Sequence, residues 1–217
     1  MIKNESDVSA PVDFDALVAT IGQRSAGRRT LTAIAGPPGA GKSTLAARLA
    51  VKLNEANAGR AAVFEQDGYH FDDIVLEARG LRARKGAPET FDVAGFYHML
   101  RRLKGNQEDE VAVPVFDRSI EIARAGARLI PRAVRCLIVE GNYLLLNRSP
   151  WSDLLPLFDT TVMISVSEET LRRRLTARWE GFNLPPDAVA AKVDANDLPN
   201  GRLIRTQSAT PEFLFAE

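Results

Sequence analysis

The amino-acid sequence predicts an α/β fold in which helices cover both faces of a mainly parallel sheet. Short apolar runs rich in β-branched residues alternate along the chain with segments of helical periodicity. Strands joined through helices in this way require right-handed crossovers, which build a parallel sheet with helices on its two faces. The chain has 217 residues, enough to bury a sizeable core, and we expect residues 1–217 to form a single domain.

Five segments carry the apolar spacing of helices. Asp13, Asp92 and Ser167 each stand just before such a segment, where a side-chain oxygen can accept a hydrogen bond from the first helical turn. The first segment is a short N-terminal helix at about 13–22, and the fourth begins a lid-like helical region at about 168–182. Helices are predicted over residues 14–21, 42–57, 93–103, 168–179 and 185–195.

The predicted strands are short and largely apolar. Residues 30–35 form a run that ends sharply at Gly36, and residues 136–139 form a second run of this kind. A short late strand is also expected at 203–205. The main strands are predicted over residues 30–35, 61–64, 111–116, 136–139 and 161–166.

Composition narrows the class of protein. Lysine and arginine together number 28, and aspartate and glutamate also number 28, so the formal net charge is zero. This balance argues against a globally basic nucleic-acid binder and against a polybasic membrane-surface protein. Residues 1–12 lack the apolar stretch of a secretory signal, and no segment approaches the roughly 18 apolar residues of a membrane span. With Cys136 as its single cysteine, the sequence predicts a cytoplasmic protein without membrane insertion.

The strongest motif is a glycine-rich segment between a predicted strand and a predicted helix. It reads Gly-Pro-Pro-Gly-Ala-Gly-Lys-Ser-Thr and matches G-x-x-x-x-G-K-[ST] at every fixed position. The glycines let the backbone curl with its N–H groups inward, and the following helix adds positive potential, so the segment can hold a polyphosphate. We expect Lys42 to reach the β- and γ-phosphates of a bound polyphosphate and Ser43 to ligate Mg²⁺. The predicted nucleotide-binding residues are Gly36, Gly39, Ala40, Gly41, Lys42, Ser43 and Thr44.

Two carboxylates follow predicted strands, at the sheet edge where open α/β folds bind ligands. Glu140 ends the run 136–139 and suits the acidic residue that orients Mg²⁺ or its water. Asp67 lies just beyond the strand 61–64 and can accept the proton of a substrate hydroxyl as that hydroxyl attacks the γ-phosphate. Glu140 could instead be a solvated strand end, and Asp67 could ligate the metal or end a turn.

Arginines that could neutralise charge on a transferred phosphoryl group occur in the predicted helix 168–179. Arg174 and Arg178 share one face of this helix because they are four residues apart. A helix that swings over the nucleotide can supply such cations while it excludes water. We therefore predict catalytic roles for Arg174 and Arg178 in addition to Asp67 and Lys42.

Candidates for contact with the acceptor lie in two further loops. Arg84 belongs to a basic segment, 79–85, that could present cations to an anionic ligand or could simply be solvated. Arg118 follows a predicted strand and is the stronger single candidate. His70 follows Asp67 closely and could also touch the substrate.

In their order and spacing, these motifs resemble the P-loop kinases that include phosphoribulokinase, uridine kinase and bacterial-type pantothenate kinase. The resemblance extends from Leu31 to about Ile204. It implies a P-loop NTPase fold with three α/β/α layers and a mainly parallel, five-stranded core sheet, often in a homodimer. It also implies ATP and Mg²⁺ as cofactors, and it adds Tyr69 to the candidate substrate residues. The resemblance rests on residues 36–44, 67–70, 88–92, 114–118 and 139–141 and on the arginine-rich helix.

The sequence defines the acceptor less well than the nucleotide. Pantothenate kinases carry Tyr-Ser-His where this chain has Phe116-Asp117-Arg118, and a histidine and an arginine of uridine kinases have no match. The intact segment 84–92 resembles a branch commonly labelled fructose-transport-system or sugar kinases. We therefore expect the acceptor to be a hydroxyl of a small metabolite, a sugar such as fructose. The alternatives are a nucleoside or pantothenate-like acceptor, and a non-catalytic ATP-binding regulatory protein associated with transport.

Overall fold

A parallel sheet forms the centre of the protein in the computed structural model, which describes residues 9–216. The strands are β1 (Ala10–Pro11), β2 (Thr30–Ala35), β3 (Ala61–Glu65), β4 (Glu110–Asp117), β5 (Ile122–Pro131), β6 (Cys136–Gly141), β7 (Thr160–Ser165) and β8 (Phe213–Ala216). Six of them form the central sheet in the order β1-β8-β7-β2-β6-β3, and all neighbouring pairs are parallel. The sheet thus contains five parallel strands, as the resemblance implies, and the two-residue β1 at its edge.

The helices surround this sheet, and three of them begin at the predicted caps. The side chains of Asp13, Asp92 and Ser167 each accept a hydrogen bond from a backbone N–H three residues on. None of the helices within residues 9–216 is long and apolar enough to cross a membrane. The helices are α1 (Phe14–Arg24), α2 (Lys42–Ala56), α3 (Asp73–Ala78), α4 (Val93–Gly105), α5 (Glu168–Glu180), α6 (Pro186–Lys192) and α7 (Leu198–Gln207).

Two apolar cores lie on the two faces of the sheet. Alternate residues of a strand point to opposite faces, and β2 divides its side chains accordingly. Leu31 and Ala33 pack on the face covered by α4, whereas Ile34 packs with residues of α1, α2 and α5 on the other face. Because β2 and β6 are buried on both faces, most of their residues are apolar, which is why the sequence predicts them well.

The predicted strand 111–116 is present as β4, but it lies outside the central sheet. It pairs in antiparallel fashion with β5 to form a separate two-stranded hairpin. The sequence did not predict β5, because most of its residues are exposed and Arg124 and Arg128 interrupt its apolar pattern. The fifth parallel strand of the central sheet is instead β8, near the C-terminus.

The predicted late strand at 203–205 is wrong, because these residues lie within α7. Gly201 and Ile204 are three residues apart and both buried, as expected for one face of a helix. Arg205, on another face, pairs with Glu168. A three-residue window is too short to distinguish the periods of a helix and a strand.

Arg29 anchors the hairpin to the rest of the fold. It is 2 % exposed. Its guanidinium donates hydrogen bonds to the carbonyls of Val134 at 2.8 Å, Leu103 at 3.0 Å and Pro131 at 2.6 Å. Burial lowers the pKa of Arg29 to about 10, so the group keeps its charge at neutral pH. One buried cation therefore joins the end of α4, the end of β5 and the segment that enters β6.

Replacement of Arg29 by methionine is expected to reduce the free energy of unfolding by about 2–5 kcal/mol, because three buried carbonyls lose their donor. Chemical denaturation followed by circular dichroism measures this change. Arg28→Met is the matched control, since the Arg28 side chain is 62 % exposed and its partner Asp159 keeps an ion pair with Lys104 at 3.3 Å. Its loss should cost less than about 1 kcal/mol. Equal losses for the two variants would contradict the anchoring role.

Candidate functional site

The glycine-rich loop connects β2 to α2 at the carboxyl edge of the sheet. Gly39 and Gly41 have φ angles of 78° and 88°, in a region that residues with side chains rarely adopt. A Cβ atom on Gly39 would also lie 3.2 Å from Leu175 Cγ on α5. Residues 36–44 therefore form a curled loop directly ahead of a helix, and Lys42 is the first residue of that helix.

Glu140 brings a buried carboxylate to this loop. Since β2 and β6 are neighbouring parallel strands, they end at the same edge of the sheet. Ser43 Oγ donates a hydrogen bond to Glu140 Oε1 at 3.0 Å, and Lys42 Nζ donates to the Pro37 carbonyl at 2.9 Å. Glu140 and Lys42 are only 5 % and 8 % exposed, so both groups are largely withdrawn from water, and each acts electrostatically on the other.

Burial shifts the protonation of these groups towards their neutral forms. Burial and, secondly, the negative charge of Asp67 raise the pKa of Glu140 to about 7, against the opposing effects of Lys42 and Ser43. Burial likewise lowers the pKa of Lys42, although Glu140 and Asp67 oppose this. A divalent cation beside Glu140 would offset the cost of burying its charge. A hydroxyl and a carboxylate oxygen are ligands that Mg²⁺ accepts, so Ser43 and Glu140 fit the predicted metal.

Asp67 lies in a short 3₁₀ turn directly after β3. Because β3 pairs with β6, this turn reaches the same sheet edge as Glu140. Gly68 allows the turn to approach the hairpin closely, since a Cβ atom there would lie 2.8 Å from the Pro114 carbonyl oxygen. Arg118, in the turn of the hairpin, donates from Nη2 to Asp67 Oδ2 at 2.7 Å. The two predicted residues therefore contact each other.

His70 places a neutral ring on the same wall. Its Nδ1 lies 2.9 Å from the carbonyl oxygen of Asp67, which can only accept, so Nδ1 carries the proton and Nε2 a lone pair. Burial lowers the pKa of His70, which keeps the ring neutral at pH 7. The ring packs against Phe91 and Phe116, with centroids 4.0 and 5.0 Å away. His70 can thus accept a hydrogen bond from a bound hydroxyl.

One cavity of about 670 Å³ brings most of these groups together. Its size suits a small-molecule ligand, and its walls combine the glycine-rich loop with carboxylates and cations. The predicted site residues that line it are Gly39, Gly41, Lys42, Ser43, Thr44, Asp67, His70, Arg118, Glu140 and Arg178.

Tyr69 and Arg84 do not line this cavity. The ring of Tyr69 packs in the core against Phe64 and Phe96, at centroid distances of 6.0 and 5.0 Å. Burial raises the pKa of Tyr69 well above its usual value. Arg84 turns towards Glu89, with Nε 2.7 Å from Oε1. The structure therefore gives no support to a contact between either residue and the acceptor.

Helix α5 packs beside the glycine-rich loop. Arg174 Nη1 lies 3.4 Å from the carbonyl oxygen of Gly39, and Arg178 lines the cavity. The guanidinium of Arg178 also lies 5.3 Å from the centre of the Trp179 ring, and Trp179 Nε1 donates to Asp197 Oδ2 at 2.7 Å. The two arginines are thus close to the loop, and their catalytic roles stay predictions.

Several residues of the cavity wall were missed by the sequence analysis. In the basic segment 79–85 the sequence predicts Arg84 as a contact to the acceptor, whereas Arg82 and Lys85 line the cavity. The segment Val193–Asp197 forms a π-helical turn, a feature that often marks functional sites and has no simple sequence pattern. The missed lining residues include Arg82, Lys85, Asn142, Trp179, Lys192, Asn196 and Asp197.

Known proteins are similar to this chain along much of its sequence. A protein of Schizosaccharomyces pombe, provisionally named as a uridine kinase, is 32 % identical over 197 residues, which cover 88 % of this chain and 84 % of that protein. A pantothenate kinase of Streptomyces avermitilis is 33 % identical over 147 residues, which cover 64 % of this chain and 44 % of that protein. No family model matches the chain.

A solved structure is similar in fold as well as in sequence. It is a protein of Silicibacter sp. TM1040, provisionally described as a fructose transport system kinase, with 39 % identity and a TM-score of 0.86. The match covers 94 % of this chain and 98 % of that chain. The predicted three-layer α/β fold with a mainly parallel sheet is confirmed.

Substitution of Glu140 by glutamine is expected to raise the Mg²⁺ concentration required for ATP binding roughly tenfold or more. The amide keeps the size of the side chain and can still accept from Ser43, but the negative charge is lost. Calorimetric titration with ATP at several Mg²⁺ concentrations measures the change.

Glu65→Gln provides the matched control for this experiment. Glu65 lies opposite Glu140 on the neighbouring strand and forms an ion pair with Arg128 at 3.2 Å. The charge of Glu65 has the smallest of the effects on the pKa of Glu140, so its substitution should change the Mg²⁺ requirement far less than E140Q does. If wild type and E140Q required the same Mg²⁺ concentration, Glu140 would not be part of the metal site.

Proposed function

The chain belongs to the P-loop kinase family that includes uridine kinases and pantothenate kinases, and we propose that it transfers the γ-phosphoryl group of ATP to a hydroxyl of a small metabolite. The observation that carries this proposal is the single cavity shared by the phosphate loop, Asp67 and Glu140. A carboxylate at the edge of such a cavity can orient the hydroxyl of a bound acceptor and accept its proton.

In the proposed reaction, Asp67 accepts the proton of the acceptor hydroxyl while the hydroxyl oxygen attacks the γ-phosphorus. A bond forms between that oxygen and phosphorus, the bond to the bridging oxygen breaks, and ADP leaves. Arg118 engages Asp67 Oδ2, and within residues 9–216 no hydrogen bond reaches Oδ1, so Oδ1 can face the acceptor. Because the transition state is loose, this orientation matters more than the basicity of the carboxylate.

Cations near the loop would stabilise the transferred group. Lys42 would approach the β- and γ-phosphates together with the N–H groups of the loop. Ser43 and Glu140 would hold Mg²⁺, which neutralises phosphate charge when it is bound. Arg174 and Arg178 belong to the region 168–182, which we propose to act as a lid that excludes water.

We propose a sugar as the acceptor, with fructose as the first compound to test. Support comes from the name of the Silicibacter structure, which is similar to this chain over nearly its full length. The names of the Schizosaccharomyces and Streptomyces relatives favour a nucleoside or a pantothenate-like acceptor as the alternative. A regulatory protein that binds ATP without transfer is a weaker proposal, because Asp67 and Glu140 both line the cavity.

Asp67→Asn is expected to lower acceptor-dependent ADP formation by about 100-fold to 10,000-fold, because the amide cannot accept the proton. The affinity for ATP should stay close to that of the wild type. A coupled assay for ADP with a panel of sugars, nucleosides and pantothenate measures turnover, and calorimetry measures ATP binding.

Asp72→Asn is the matched control for this variant. Asp72 caps α3 through a hydrogen bond from the Ile74 N–H and does not line the cavity. Asparagine caps helices as well as aspartate does, so turnover should be retained. Turnover of D67N within tenfold of the wild type would remove Asp67 from its proposed role.

A further inference from the structure

One buried carboxylate on the cavity wall has no part in the proposed reaction. Asp197 is 9 % exposed and ends the π-helical turn Val193–Asp197. It lines the same cavity as Asp67 and Glu140. A carboxylate is rarely buried unless charges or hydrogen bonds compensate for the lost water, so Asp197 needs partners in this position.

One oxygen of the Asp197 carboxylate is engaged and the other is open. Trp179 Nε1 donates to Oδ2 at 2.7 Å, and within residues 9–216 no second hydrogen bond reaches the carboxylate. Burial raises the pKa of Asp197, and the hydrogen bond from Trp179 opposes this. The positive charges of Arg178 and Lys192 oppose it less strongly. Oδ1 is therefore an acceptor that a molecule in the cavity can use.

The residue before Asp197 fixes the turn against the basic segment. Asn196 Nδ2 donates to the carbonyl of Lys85 at 3.1 Å, and Asn196 Oδ1 accepts from Asn200 Nδ2 at 3.1 Å. Asn200 is itself buried in α7. The backbone at Asp197 is thus tied to the basic segment and to α7, which gives the carboxylate a defined position on the cavity wall.

Asp197 and Asp67 act on the same buried ring. Burial first, and then the charges of Glu89, Asp197 and Asp67, raise the pKa of Tyr143. The hydroxyl of Tyr143 donates to the carbonyl of Gly86 at 2.7 Å, and Gly86 lines the cavity. Because both carboxylates line one cavity of about 670 Å³, a single small molecule can contact the two.

The wall beside Asp197 is aromatic. Trp179 and Phe182 both line the cavity, and their ring centres are 5.8 Å apart. Phe182 is exposed, so its ring is accessible to a ligand. An aromatic wall next to a carboxylate fits a molecule whose C–H groups pack on the rings while a polar group reaches the carboxylate.

A hydroxyl suits Asp197 better than an ammonium group. Arg178 and Lys192 each place their charge 5.3 Å from the centre of the Trp179 ring, and Trp179 is the residue that donates to Asp197. An ammonium group at Oδ1 would meet these like charges in a position withdrawn from water. A neutral hydroxyl donates a hydrogen bond to the carboxylate without this repulsion.

We propose that Asp197 determines the specificity for the acceptor, by accepting a hydrogen bond at Oδ1 from a second hydroxyl of a neutral polyol whose first hydroxyl is held at Asp67. The inference rests on the proposed function and adds a second acceptor-binding residue to it. The carbon skeleton of the polyol then packs on Trp179 and Phe182. Compounds without this second hydroxyl bind less tightly.

Ligands that lack one hydroxyl test the proposal on the wild-type protein. Fructose, glucose and ribose are each compared with their monodeoxy and monodeoxyfluoro analogues, since fluorine has no proton to donate. Binding is measured by calorimetry to protein saturated with Mg²⁺ and a non-hydrolysable ATP analogue. Loss of the hydroxyl that Asp197 binds should weaken binding roughly tenfold to hundredfold.

Asp197→Asn shows whether Asp197 is the residue that recognises this hydroxyl. The amide oxygen can still accept from Trp179 Nε1, but the amide nitrogen that replaces Oδ1 cannot accept a hydrogen bond. D197N should bind the parent sugar roughly tenfold to hundredfold more weakly and lose its preference over the analogue. A purely structural role would weaken both ligands alike and keep the ratio of their affinities. The affinity for the ATP analogue should stay unchanged.

Asp194→Asn is the matched control. Asp194 belongs to the same π-helical turn, but it forms an ion pair with Arg172 at 2.6 Å and does not line this cavity. D194N should therefore keep the wild-type ratio of affinities for the parent sugar and its analogue.

Nitrogen-15 NMR adds a measurement that does not depend on the folding of a variant. The chain has two tryptophans, and the indole N–H of Trp179 is the one that donates to Asp197. Saturation with the parent sugar should shift this signal, and the analogue without the bound hydroxyl should shift it less. The indole signal of Trp151, which is buried and does not line the cavity, should not move.

Three results would overturn the role of Asp197. These are an unchanged affinity ratio in D197N, equal shifts of the Trp179 signal by sugar and analogue, and failure of all three sugars to bind. Failure of the proposed function gives a different result, in which the ATP analogue does not bind or no acceptor in the wider panel supports ADP formation. Undiminished binding of every monodeoxy analogue would leave the kinase proposal standing and remove only the role of Asp197.

Discussion

The site depends on the approach of a buried carboxylate, Glu140, to a buried ammonium group, Lys42. Burial of a charge is costly unless an opposite charge or strong hydrogen bonds compensate for the lost water. Here the parallel pairing of β2 with β6 brings the two groups to one sheet edge, and backbone hydrogen bonds hold them there. The pKa of Glu140 is raised and that of Lys42 is lowered because both have lost water. A bound cation would compensate for the buried charge of Glu140, and a bound polyphosphate would compensate for that of Lys42.

The side of the cavity formed by the hairpin, which we propose to bind the acceptor, is held in place by different interactions. Within residues 9–216 the β4–β5 hairpin forms no ladder with the central sheet, so its position depends on side-chain contacts. Arg29 fastens the end of β5 through three carbonyls, and Lys85 holds the turn through the carbonyl of Glu121. Arg118 then extends from that turn to Asp67. The phosphate-loop half of the site is therefore positioned by backbone pairing, and the hairpin half by a small set of polar side chains.

Helix α5 connects these two halves. At its N-terminus Glu168 pairs with Arg202 and Arg205 of α7, and these two partners lower the pKa of Glu168 to about 2. Near its C-terminus Trp179 donates to Asp197, which lines the cavity. Helix α5 is therefore joined directly to a residue of the cavity wall outside the phosphate loop.

The sequence by itself determined the elements that depend on neighbours along the chain. Apolar periodicity predicts the buried strands, capping oxygens predict the helix starts, and the glycines predict the curled loop. The predicted strand ends also place Asp67 and Glu140 at one edge of the sheet. Only the tertiary structure decided which strands pair. In the structure β4 lies outside the central sheet, β8 belongs to it, and residues 203–205 are helical. It also decided that Arg118 contacts Asp67 and that Lys85 rather than Arg84 faces the cavity. These outcomes depend on contacts between residues far apart in sequence. A local sequence pattern does not indicate which distant residue a side chain contacts.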